Sequence, residues 1–143
     1  MSQNYKNHTR IVPVFHYAGY LLTLGVLGVS MWNMQRAIKG RTDIYDASIL
    51  FAISLVLLIL MFYSREFGLK AQDRAIRAEE NFRHYILTGR PFDSSLTRTQ
   101  IIALRFASDA EMPALAVRAV SEKLSSKDIK KSIVNWRADY HRV

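Results

Sequence analysis

Apolar positions run almost unbroken twice in the first half of the chain and recur at helical spacing in the second. From Ile11 to Gln35 there is no Asp, Glu, Lys or Arg, and at about 1.5 Å per residue such a run covers the roughly 30 Å hydrocarbon core of a bilayer. The second run, Ala47 to Ser64, is dense in Leu, Ile, Val and Phe and is bracketed by Asp43 and Asp46 before it and Arg65 and Glu66 after it. The pattern predicts two membrane spans over residues 11–34 and 46–64. Between them, Arg36 to Asp46 is a short polar connection with Gly40 available as a turn residue, so the spans must run antiparallel. A cleavable signal peptide is the rival for the first run, but the run is too long and Ser2 to Arg10 is not strongly basic. Tyr17, Tyr20 and Trp32 suit the membrane interfaces, where an amphipathic ring keeps one edge wet.

Small residues recur on both runs. Ala18, Leu21, Gly25, Gly28 and Trp32 on the first, and Ser48, Ala52 and Val56 on the second, follow steps of three and four. Such stripes mark helix contacts in lipid, where close backbone approach replaces a hydrophobic drive. Ala18, Gly25, Gly28, Ser48 and Ala52 are therefore the candidate helix-contact residues, with a partner in this chain, a second copy or another protein.

From Arg65 to Leu87 the second helix is expected to continue into water. Ala71, Ala75, Ala78, Phe82 and Tyr85 form one apolar stripe, and Glu66 with Lys70, Asp73 with Arg77 and Glu79 with Arg83 are i,i+4 pairs on the solvated side. Gly89 and Pro91 end this helix. Three shorter helices follow. The first runs from Leu96 to Ala107 after Asp93, Ser94 and Ser95; the second opens on Ser108, Asp109, Ala110 and Glu111, with Pro113 in its first turn; the third follows Ser125 and Ser126. Met112, Ala116, Ala119, Val120 and Leu124 make the apolar stripe of the second, and Ile129, Ile133, Trp136 and Tyr140 that of the third. The expected core of the module includes Phe82, Leu104, Leu115, Val120, Ile133 and Trp136. No strand-like alternation appears.

Charge follows the same division. Residues 11–64 carry five charged side chains, whereas from Arg65 onward there are fifteen Lys and Arg against ten Asp and Glu, within a net charge of +8 for the 143 residues. Basic residues beside spanning segments are held by anionic lipid and by the rule that positive loops stay in the cytoplasm. The connection carries Arg36, Lys39 and Arg41, whereas the flanks carry Lys6, Arg10, Arg65, Lys70, Arg74 and Arg77, which favours both termini inside. With no cysteine in the chain, disulfides, thiolate metal sites, c-type haem attachment and a cysteine nucleophile are excluded.

Candidate chemistry is sparse. His16 is the only ionisable residue well inside a span, which raises haem or proton transfer; its place near one end favours a headgroup-level histidine or one bonded to a backbone carbonyl, and the second span holds no matching histidine. His8, His84 and His141 show no metal-ligand spacing, and no phosphate loop or H-E-x-x-H motif occurs. Asp73, Glu79, Glu80 and Asp93 read as solubility features of a solvated helix rather than an acid/base pair. Arg118, Lys123, Lys127, Lys130, Lys131 and Arg137, with Arg105, form a candidate basic surface. A helix-turn-helix reader of nucleic acid would want a tight glycine turn that is missing between Leu124 and Lys127, and Trp136 falls on the apolar stripe rather than on a stacking face.

Three segments carry a family resemblance: Gln3-Asn4-Tyr5-Lys6-Asn7-His8, Thr99-Gln100-Ile101-Ile102-Ala103-Leu104-Arg105-Phe106-Ala107-Ser108-Asp109, and Ile129-Lys130-Lys131-Ser132-Ile133-Val134-Asn135-Trp136-Arg137-Ala138-Asp139-Tyr140. They resemble an uncharacterised Bacteroidota membrane family, domain of unknown function 6526, and the likeness covers nearly the whole chain. It implies a bacterial inner-membrane protein and brings no activity, cofactor or catalytic residue. A transporter is disfavoured, since two spans are too few to enclose a pathway unless copies assemble.

The expectation is an all-α protein: a polar N-terminus (1–10), a two-helix transmembrane hairpin (11–64) and a small soluble helical bundle (65–143). Its expected role is a non-enzymatic inner-membrane anchor or accessory subunit with no metal or cofactor. The partners expected are the lipid bilayer and another membrane protein or a second copy. The alternative is a membrane-tethered basic module binding an anionic ligand, whether lipid head groups, nucleic acid or ribosome.

Overall fold

The computed structural model describes residues 3–8 and 11–140. Among them every regular element is helical, with one isolated β-bridge between Ala107 and Trp136. His141, named above, lies outside the described residues. The chain divides into two compact units: Ile11–Gly68, and Met1–Arg10 together with Leu69–Val143.

In the first unit, Pro13 leads into a π-helical turn, Val14–Gly19, that continues as α1, Tyr20–Gly40. Proline suits a helix start because its missing N–H would have had no intrahelical partner there. Gly40 stays helical; the left-handed residue is Arg41 (φ 54°), whose N–H bonds back to the Ala37 carbonyl, and Asp43 is left-handed as well. The expected glycine turn is thus made by two ordinary residues, each at a steric cost of about 1–2 kcal/mol. After this three-residue connection α2 runs from Ile44 to Thr88, and Pro91 follows the left-handed Gly89 (φ 71°) that closes it.

Both helices are long and apolar enough to cross a membrane, and only 6% and 11% of their apolar windows are buried. That sets them apart from core helices of a water-soluble protein, which hide such faces. The buried residues of this unit are Ser30, Ala37, Ala47 and Ser54. The Ser30 and Ser54 hydroxyls lie 2.9 Å apart, each also within reach of a carbonyl one turn back, Leu27 and Phe51. A Cβ on Gly19 would collide with the Met61 side chain.

The second unit holds a conventional core. Phe106, Leu104, Met112 and Ile129 are its largest fully enclosed side chains, joined by Phe92, Leu96, Ile101, Leu115 and Ile133, with Val120, Leu124 and Trp136 packed against them. Helix α3 (Arg98–Leu104) starts at a reciprocal cap in which Thr97 and Gln100 satisfy each other's backbone N–H. Helix α4 (Met112–Ser121) has Pro113 in its first turn, and α5 (Ser126–Ser132) is capped by Ser125, whose hydroxyl accepts from Asp128 N–H.

Two expectations are corrected here. The stripe Ala71, Ala75, Ala78, Phe82 and Tyr85 faces outward, with Phe82 65% exposed, so Phe82 is not core. The face of α2 that meets the module carries Ile76, Glu80 and His84, all buried, flanked by half-buried Gln72, Asp73 and Arg83. Asp73, Glu80, Arg83 and His84 are tolerated on this face because partners elsewhere in the chain engage them. Second, the last helix stops at Ser132, and Ile133 turns extended (ψ 122°). Residues 133–140 then lie along the end of α3, with Asn135 O accepting from Ser108 N–H at 3.1 Å and Arg137 N–H donating to Phe106 O at 2.8 Å.

Candidate functional site

Two features of the second unit stand out, and the first is a clasp. Gln3 uses its side-chain amide as a strand would use its backbone: Nε2 donates to Asp139 O at 3.2 Å and Oε1 accepts from Asp139 N–H at 2.8 Å. His8 packs edge-on to Phe106 at 5.8 Å, beside Trp136 at 6.0 Å and stacked with Tyr5 at 5.9 Å. Its Nδ1 lies 2.7 Å from Tyr5 O and its Nε2 3.3 Å from Lys130 Nζ. Since a carbonyl only accepts and an ammonium only donates, this geometry suits the neutral imidazole with its proton on Nδ1. Phe106 is the hub, touched also by Trp136 at 4.9 Å and by the Arg105 guanidinium at 4.5 Å. Arg105 is buried and pairs through Nε with Asp139 Oδ2 at 3.1 Å.

A chain of charges ties α2 to the rest. Arg83 donates to Glu80 at 2.8 Å, to Asp109 through Nε at 2.7 Å and to the Ala107 carbonyl at 2.8 Å, while Arg137 reaches the other Glu80 oxygen at 3.5 Å. Glu80 is 7% exposed. A carboxylate so enclosed is tolerable because two guanidinium groups face it. His84 stacks on Phe92 at 4.3 Å with Nδ1 2.8 Å from Arg90 O, and Asn81 accepts from Phe92 N–H at 2.9 Å. Beside this network lies an open cavity of about 540 Å³ lined by Ile76, Glu79, Glu80, Arg105, Arg137, Ala138, Asp139 and Tyr140. Two of its carboxylates, Glu80 and Asp139, are paired with arginines, Arg83 and Arg137 for the first and Arg105 for the second. Among the described residues no cluster of three or more His, Asp or Glu could hold a metal ion.

The second feature is the outward face of α2. Phe82 (65%), Tyr85 (53%) and Ile86 (66%) stand exposed at successive helical positions, continuing the exposed alanines at 71, 75 and 78.

The residues singled out from sequence are dispersed. Gly25 and Gly28 have open space where a Cβ would stand, Ala18 and Ala52 are exposed, and Ser48 is half-buried with its hydroxyl donated to Tyr45 O. The close approach within the chain instead involves Gly19, Ser30, Ser54 and Met61. His16 Nδ1 lies 2.9 Å from the Val12 carbonyl oxygen and 3.1 Å from Val12 N. Three of the candidate basic residues have partners within the chain. Arg118 is engaged by Glu122 at 3.1 Å, Arg137 by Glu80, and Lys130 by His8; Lys123, Lys127 and Lys131 are exposed. The Asp128 carboxyl is held below its ordinary range first by the Ser125 hydroxyl and further by Lys131 and Lys127, and Glu122 is lowered by its bond from Arg118. Of the expected i,i+4 pairs, Asp73 meets Arg98 at 3.7 Å and Arg83 meets Glu80 and Asp109. Sequence reasoning missed the roles of Gln3, Glu80 and Arg83; the one signal for the first was that residues 3–8 are polar, specific and unexplained by an anchor.

The three segments that carry the family likeness meet at Phe106, Trp136 and His8. A model of the family of unknown function DUF6526 matches residues 1–143. The chain belongs to that family. No curated protein and no solved structure matches it.

Proposed function

We propose that this DUF6526 protein is a non-enzymatic integral membrane anchor or accessory subunit, with α1 and the apolar half of α2 as a hairpin across the bacterial inner membrane and the packed helical module docking a protein partner. The observation that carries the reading is α2 itself. One continuous helix is apolar and exposed in its first half, then enters a charged, cored module while keeping Phe82, Tyr85 and Ile86 open on its far side. Lipid accounts for the first exposure and a protein for the second. The contacts of Gln3 with Asp139 and of His8 with Lys130 support an even number of crossings, since segments that touch share one aqueous compartment. The charge balance of the flanks against Arg36, Lys39 and Arg41 argues that this side is the cytoplasm.

The test has two parts. The protein is expected to stay in the membrane pellet after alkaline carbonate washing, and release into the soluble fraction overturns the anchor. Single cysteines at Thr42 and at Ser126 are expected to label oppositely with an impermeant reagent on intact cells, with Thr42 reached and Ser126 protected. The reverse pattern inverts the orientation, and equal labelling excludes the hairpin. The basic alternative separates by salt: counterion-driven binding of an anionic ligand by the module falls steeply between about 50 and 200 mM salt, whereas docking through apolar side chains does not.

A further inference from the structure

We infer that the occupant of the open α2 face is a second copy of the same chain, packed parallel along Ala71, Ala75, Ala78, Phe82 and Tyr85. The inference rests on the membrane reading above and names the partner it leaves open.

The spacing comes first. These five positions advance by four, three, four and three residues, the 3.5-residue repeat of a two-stranded left-handed seam. All five are exposed, with Phe82 at 65% and Tyr85 at 53%. The residues of α2 that meet its own module, Ile76, Glu80 and His84 among them, lie on the opposite side of the helix. The seam and the module therefore do not compete for one face. Three alanines let two backbones approach closely, and the two aromatic rings beyond them supply most of the area removed from water.

Charge complementarity selects the partner and its direction. With Ala71 and Ala78 at d and Ala75 and Phe82 at a, Arg74 falls at g and Glu79 at e. In a parallel pair, a g side chain meets the e side chain five residues further along its neighbour. Arg74 of one copy then faces Glu79 of the other, and two-fold symmetry makes the contact twice. Both residues are exposed on the helix surface and flank the seam. Helices that emerge side by side from one membrane are also held parallel, and confinement to the bilayer raises their effective concentration.

The chain has no cysteine, so full-length protein in native membranes can carry a single reporter thiol. Ala78→Cys is expected to give a disulfide-linked dimer under mild oxidation, and Arg77→Cys, one residue away on the other side of the helix, at least about tenfold less. Adding Phe82→Asp to Ala78→Cys is expected to lower the yield about tenfold, since it places a charge in the seam centre. Arg74→Glu is expected to lower it about two- to fivefold, and Arg74→Glu with Glu79→Arg to restore it. The proposal is overturned by an Ala78→Cys protein that stays monomeric in the carbonate-resistant pellet, by equal crosslinking at residues 77 and 78, or by a disulfide to a protein of different mass. Carbonate release of the same protein marks failure of the anchor instead, and oxidation of the released fraction still reads the seam.

Discussion

Between Ile11 and Gly68 the only buried residues are two serines and two alanines, Ser30, Ala37, Ala47 and Ser54, while Leu21, Leu22, Ile59, Leu60 and Phe62 are each more than half exposed. Beyond Gly68 the large apolar residues Leu104, Phe106, Met112 and Ile129 are enclosed almost completely. Hydrophobic residues thus sit outside in one unit and inside in the other, although the same chain and partly the same helix build both. In water the arrangement of the first unit costs roughly 1.5–3 kcal/mol for each large side chain left uncovered. In hydrocarbon that cost disappears, and what remains to hold helices together is contact between small residues and the odd hydroxyl pair. The exposed Phe82, Tyr85 and Ile86 are informative because they belong to the second unit, which encloses a core of its own.

The comparison breaks most visibly at Phe106. Phe106→Ala should remove a ring that is 1% exposed and touches His8, Trp136 and Arg105, at about 3–5 kcal/mol, enough to melt a small module. Thermal unfolding of the detergent-solubilised protein, followed by helicity or by fluorescence of Trp136, checks it. An unchanged midpoint would mean that the core lies elsewhere.

Next in size is the charge chain. Glu80→Ala strips Arg83 of its enclosed partner and leaves the Arg137 contact empty, with an expected loss of about 2–3 kcal/mol. Asp109→Ala, whose side chain is 68% exposed in its pair with Arg83, should cost about 1 kcal/mol or less. The ratio between the two tests burial rather than charge as the deciding variable.

How much of this was legible follows the same line. The two apolar runs, the Gly89–Pro91 stop, the Ser125 cap and the Met112, Ala116, Ala119 stripe could be read because each depends on neighbours within a turn or two. The inward face of α2 could not, since Glu80 and Arg83 are enclosed by virtue of Arg137, Asp109 and Ala107 O, all distant in sequence, and His84 by the chain that folds back after Gly89 to bring Arg90 O and Phe92 against it. The alternative face, Ala71 to Tyr85, was at least as regular. Ile129, Ile133, Trp136 and Tyr140 kept helical spacing too, but Ser132, Ile133, Val134 and Asn135 are poor helix formers in succession, and backbone pairing with Phe106 and Ser108 took them over. Gln3 and His8 had no local pattern at all.

The clasp gives a smaller effect. Gln3→Ala removes both amide bonds to Asp139 and is expected to cost about 1–2 kcal/mol at most. The module should stay folded while residues 3–8 become open to limited proteolysis. Protection equal to the unaltered protein would show that the His8 contacts hold the segment alone.

The smallest effects fall in the first unit and sharpen the contrast from the other side. Leu60 is 58% exposed; on the proposed membrane reading it faces hydrocarbon, and Leu60→Ala should then shift stability in bilayers by about half a kcal/mol or less. Ser30→Ala removes one partner of the 2.9 Å hydroxyl pair with Ser54 and should cost about 0.6 kcal/mol, the average found for such bonds within membranes. A serine in a well-chosen place is then worth as much as a leucine or more, the reverse of the order in the module, where Leu104→Ala should cost about 2–5 kcal/mol. Steric-trap or reversible denaturant unfolding in bicelles measures all three on one scale. Were Leu60→Ala to cost as much as Leu104→Ala, Leu60 would be packed against protein, and the outward face of that helix would belong to an interface rather than to lipid.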